Sequence, residues 1–153
     1  MFLDDDDELR VGYLNNLIRC IHLNQHIDFF WCDVVVYASR PDKQISRIDR
    51  IWPRKYWNED HFFATALSVA TSYGLCVRKE KLIDIGLFDK EFPVGEDMDL
   101  IIRLLQNLVL PKSIPFFGVN KFETTSERLS YGFKRYSSDR VFEKILSKNS
   151  KFF

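Results

Sequence analysis

The sequence predicts an α/β fold, and three observations carry that expectation. Phe29 to Ala38 concentrates aromatic and β-branched residues, which suit a pleated, half-buried backbone. Glu96 to Leu108 places Leu100, Ile101, Leu104, Leu105 and Leu108 at helical spacing, giving one apolar stripe. Ahead of both stands an acidic run, Asp4 to Asp7, directly after apolar Met1 to Leu3. Ligand-binding loops of α/β sheets occur at the carboxyl ends of strands, and this run has that form.

The remaining elements follow in order. Met1 to Leu3 reads as the end of a strand, since three residues are too few for a whole one. Glu8 to Leu23 is a predicted helix with Leu14, Leu17, Ile18 and Ile21 on one side. Ser39 to Asn58, with Pro41, Pro53 and many charges, reads as a long loop. Phe62 to Ala70 and Lys79 to Ile85 are short helices, and Ser72 to Val77 is a strand. Gly86 follows where a helix end favours positive φ. Pro111 and Pro115 are expected to break the chain before a strand over Phe116 to Phe122. Ser126 to Ser147 is a basic helix, and Lys148 to Phe153 a frayed tail.

The 153 residues suffice for one domain, divided here into residues 1–110 and an extension over 111–153. Basic and acidic side chains number 22 each, so no broad polyanion-binding surface is expected and nucleic acid is excluded as a partner. Cys20, Cys32 and Cys76 are odd in number and form no CxxC pair, which points away from disulfides and towards a reducing cytoplasm. No apolar run approaches the roughly 18–20 residues that span a bilayer, and the start lacks the pattern of a signal peptide.

Four consecutive carboxylates repel one another unless solvent or a cation relieves them. Hard oxygen ligands suit Mg²⁺ and Mn²⁺. In an extended segment Asp4 and Asp6 point to the same side, towards one cation. A solvated acidic terminus is the plain alternative. A calcium loop is excluded, because Leu9 and Asn15 stand where it needs Gly and Glu. The second acidic motif, Gly95-Glu96-Asp97, opens the Glu96 helix. Negative charge in a first turn answers the helix dipole, so simple capping is one reading. A carboxylate fixed there is also placed to accept a proton from a substrate hydroxyl. Asp99 is expected to pair with Arg103 four residues on.

Taken together, these motifs resemble a known family. Phe2-Leu3-Asp4-Asp5-Asp6-Asp7-Glu8 is similar to the strand and DxD segment of glycosyltransferase family 2, in the GT-A fold. Gly86-Leu87-Phe88-Asp89, then Gly95-Glu96-Asp97-Met98-Asp99-Leu100 and Arg103-Leu104, resembles that family's GxFD…GEDxDLxxRL segment. Thr71 to Arg78 resembles the strand and acceptor-side loop before it. The resemblance covers about residues 1–110. It implies a Rossmann-like GT-A domain and inverting transfer from a nucleotide-diphospho-sugar donor to a glycan, lipid-linked or protein acceptor. It implies Asp6 and Asp4 as ligands to Mn²⁺ or Mg²⁺, with Asp4 or Asp5 near the ribose of the donor. It implies Asp97 as catalytic base, with Glu96 beside it. The family's opening strands, its PxYN segment and its base-reading acid have no counterpart here, so the expected fold lacks its nucleotide-binding half. Met1 is then expected to be internal to a longer frame, or the chain to be the product of a split or decayed gene, with a partner chain covering the exposed sheet.

Two other classes stay open: a non-catalytic remnant or interaction module, and an acidic metal-binding protein unrelated to sugars. His22 and His26 sit four apart, but no Glu or Cys accompanies them at a useful spacing, so exposed or packed helix histidines are the default reading. Trp52, Tyr56 and Trp57 offer either sugar stacking or loop anchoring. Lys134, Arg135, Arg140, Lys144, Lys148 and Lys151 lie among aromatics and suit either a closing helix or peripheral contact with a cytoplasmic membrane face.

Overall fold

A computed structural model describes residues 1–39, 45–51, 74–107, 109, 111–123 and 138–151. Among them the elements run β1 (Glu8–Leu9), α1 (Tyr13–Leu23), β2 (Phe29–Ser39), β3 (Ile45–Arg50), β4 (Cys76–Val77), α2 (Lys79–Asp84), α3 (Glu96–Gln106), β5 (Pro111–Glu123) and α4 (Ser138–Lys148). The chain is α/β, as expected, and its sheet is mixed. The order is β1-β5-β2-β3, and β4 also pairs with β2. β5 runs parallel to β2, whereas β1, β3 and β4 are antiparallel to their neighbours.

β2 is the hub because its sequence allows burial on both faces. Every residue from Phe29 to Val36 is buried, so the apolar run is continuous rather than alternating. Tyr13 and Leu17 of α1 and Leu100, Ile101, Leu104 and Leu105 of α3 join the same core. Leu14, Ile18 and Ile21, expected to pack beside Leu17, are instead exposed to solvent. Only part of the helical stripe meets the sheet.

α1 packs tightly against β5 at Gly118. A Cβ at Gly118 would lie 2.4 Å from Tyr13 Cδ2 and 2.5 Å from Cys32 Sγ. The ring cannot shift freely, since Tyr13 Oη donates to Gly74 O at 3.0 Å. Gly118→Ala is therefore expected to lower stability by about 1–3 kcal/mol. The check is a lower urea midpoint at unchanged slope. Burial of Cys32 in this contact pushes its thiol pKa up to about 11, so it stays protonated and unreactive at neutral pH. All three cysteines are free thiols.

Several boundaries differ from the sequence expectation. Met1 to Leu3 is not a strand, although Phe2 N–H donates to Leu75 O at 2.8 Å and Gly74 N–H to Phe2 O at 3.2 Å. The first helix starts at Tyr13, after Gly12 at φ 84°, because Glu8 and Leu9 pair with β5 instead. Part of the expected long loop is β3, antiparallel to β2 from Val34 to Ser39. β5 begins at Pro111, so neither proline breaks it. Pro115 falls at the register shift, where Ile114 faces Cys32 and Phe117 faces Asp33, and no ladder hydrogen bond is demanded of it. Gly86 has φ 86° after α2, as expected. The helix expected over Phe62 to Ala70, and Trp52, Tyr56, Trp57 and His61, lie outside the described residues. The same holds for 124–137, so the basic helix is described only from Ser138. No described helix is long and apolar enough to cross a membrane.

Candidate functional site

The acidic run is a turn, not an extended segment. Phe2 is tied to residues 74–75 and Glu8 to Asn120 of β5, so the chain must reverse between those anchors. Aspartates tolerate such reversals well. Asp7 N–H donates to Asp4 O at 3.2 Å and closes the turn. Carboxylate oxygens of Asp4, Asp6 and Asp7 come within 4.8 Å of one another. Asp5 is exposed and stands outside that group.

Asp7 was not singled out from the sequence as a ligand, yet it is the buried member. Its side chain is fully inaccessible. Oδ1 accepts the Phe122 N–H at 3.2 Å, while Oδ2 has no hydrogen-bond partner. The Lys121 ammonium stands 3.7 Å from Asp7 Oδ2 and 3.6 Å from Asp4 Oδ2. Burial raises the Asp7 pKa above the usual carboxylate range, with Lys121 and the Phe122 N–H opposing it.

The second motif is held by α3 and α4. Leu100 to Ile102 with Leu104 and Leu105 bury the helix body. Asp99 is fully buried, pairs with Arg103 Nε at 2.7 Å as its spacing predicts, and accepts from Asn149 Nδ2 at 3.2 Å. Arg103 also donates to Ile85 O at 2.7 Å, which links α3 to the end of α2. The loop before α3 is pinned by α4. Lys148 pairs with Asp89 and Glu91, and Lys144 and Lys148 lie over the Phe92 ring. The Lys148 ammonium beside Asp89 holds that carboxyl below its ordinary range. Gly95 has φ 80°, and a Cβ there would meet Val141 Cγ1 at 2.7 Å. These contacts fix where Glu96 and Asp97 emerge.

The two motifs share one cleft. A wide-open, shallow cleft of about 390 Å³ is lined by Met1, Phe2, Leu3, Asp4, Phe88, Glu96 and Asp97. Phe2 and Phe88 meet edge to face, with centroids 5.2 Å apart, and form an apolar wall. Asp4 is the residue common to the cleft and the acidic cluster. Asp6 does not line the cleft and reaches it only through Asp4.

The cluster suits a divalent cation on two grounds. Its donors are all hard carboxylate oxygens. Asp7 also carries a buried oxygen, Oδ2, without a hydrogen bond, an expensive arrangement that a coordinated cation would relieve. Among the described residues His22 and His26 form no comparable site, and both are exposed.

The described residues therefore define an α/β chain with a mixed sheet and a carboxylate-lined cleft beside a three-aspartate cluster. No protein-family model matches the chain, and no curated protein matches it.

Proposed function

We propose that the chain carries the acceptor-side and metal-binding elements of a GT-A glycosyltransferase of family 2, acting by inversion on a nucleotide-diphospho-sugar. One observation carries this reading: Asp4 of the acidic turn and Glu96 and Asp97 of α3, far apart in sequence, line the same cleft. Its volume lies in the range of small-molecule sites, and it combines an apolar wall with convergent carboxylates.

In this reading Asp97 takes the proton from the acceptor hydroxyl as its oxygen attacks the anomeric carbon. The new glycosidic C–O bond forms on the face opposite the leaving group. The bond from that carbon to the diphosphate breaks, and its electron pair leaves with the nucleoside diphosphate. Asp4, Asp6 and Asp7 would hold a Mn²⁺ or Mg²⁺, which when bound would supply positive charge for that leaving group. Phe2 and Phe88 keep water from one side of the cleft, and Glu96 holds a negative charge beside Asp97.

Calorimetric titration with Mn²⁺ and a panel of nucleoside diphosphates tests this. Binding that requires Mn²⁺ is expected, and Asp7→Asn is expected to weaken Mn²⁺ by about 10–100-fold, the range for losing a ligand or its support. Absence of any nucleotide or metal binding removes the sugar-transfer reading. The exposed Leu14, Ile18 and Ile21 stripe of α1 would then favour an interaction module.

A further inference from the structure

We propose that Lys121 is the internal counter-cation of the acidic turn, competing with a divalent metal for Asp4 and Asp7 and thereby setting metal affinity. This rests on the metal-dependent reading above.

The lysine comes from β5, where it is paired with Val36 of the hub strand. Its side chain is only 15% exposed, so the ammonium is directed at the turn rather than at bulk water. It stands 3.6 Å from Asp4 Oδ2 and 3.7 Å from Asp7 Oδ2. Both separations exceed a normal N–H···O hydrogen bond, so the ammonium saturates neither acid. Asp7 Oδ2 is left fully buried with no hydrogen-bond donor. The same two aspartates belong, with Asp6, to the group whose oxygens approach within 4.8 Å.

A divalent ion on those oxygens would lie roughly 2.0–2.2 Å from each. The ammonium would then face a dication only a few ångströms away, and the two repel. One must yield. Lysine is suited to yield, because its charge sits on a flexible four-carbon stem and makes no bidentate grip. The cluster therefore has two arrangements: lysine inward without metal, and lysine displaced with metal bound. The lysine keeps the acids neutralised when no metal is present, and it weakens every metal that enters.

The test is calorimetric titration of Mn²⁺ alone into the wild-type chain and the variants Lys121→Met, Lys121→Arg and Asp7→Asn. Lys121→Met is expected to bind Mn²⁺ about 10–100-fold more tightly, within the usual range of coupling between two ligands. Lys121→Arg keeps the competing charge and is expected to stay near wild type. Metal-free Lys121→Met is expected to melt lower than wild type and to gain more in Tm on adding Mn²⁺. Where Lys121→Met does not fold, Lys121→Gln carries the same expectation, since its neutral amide still donates to both acids. Unchanged or weaker Mn²⁺ affinity in the neutral variants, with binding still weakened in Asp7→Asn, overturns the role of Lys121 and leaves the metal site standing. No Mn²⁺ binding by any chain overturns both.

Discussion

In an active transferase that carries this chain, replacing Asp97 with asparagine is expected to slow acceptor-dependent nucleoside diphosphate release from a nucleotide-sugar donor by about 10²–10⁴-fold, the usual worth of a general base. Asparagine keeps the shape of the side chain but cannot accept the proton. Nucleotide binding is expected to stay near its original strength, because the acidic cluster on the other side of the cleft is untouched. Glu96→Gln is expected to have the smaller effect, since that side chain lies beside the reacting hydroxyl. The measurement is single-turnover release across a donor panel, alongside calorimetric nucleotide binding. Full turnover in Asp97→Asn would take the base role away from it.

Arg103→Met is expected to destabilise the fold by about 3–5 kcal/mol, the cost of stranding a buried partner. Asp99 has a fully buried side chain, and Arg103 supplies its 2.7 Å ion pair. The methionine variant leaves that carboxylate with Asn149. It also removes the bond to Ile85 O that ties α2 to α3. Urea unfolding followed by circular dichroism reads the loss directly. A change below about 1 kcal/mol would show that the network holds α3 in place without contributing to stability.

The parts of this fold that were legible in the sequence are those with strong local patterns. The apolar run Phe29–Ser39 and the stripe on Glu96–Gln106 announce a buried strand and a packed helix. The Asp99–Arg103 spacing announces its ion pair. β3 was not legible, because Ile45 and Ile48 stand among Arg47, Asp49 and Arg50 on a largely exposed strand. β5 was only half legible, since Pro111 and Pro115 look like breakers until the register shift beside Asp33 is known. At the site, two acidic motifs could be read, but not the turn that turns Asp5 away from the other three aspartates. Asp7 and Lys121 meet only because β5 returns beside the first residues of the chain. No local spacing encodes that meeting.

The hub position of β2 also governs how the chain reaches its native state. Phe29 must find Pro111, and Ala38 must find Glu123, before the parallel ladder exists. Closing so long a loop costs entropy before any contact rewards it. Such non-local topologies fold on the slower, millisecond-to-second scale. During synthesis the apolar run of β2 leaves the ribosome well before its parallel partner is made. In that interval Phe29 to Val36 is the stretch of the newborn chain most exposed to wrong pairing.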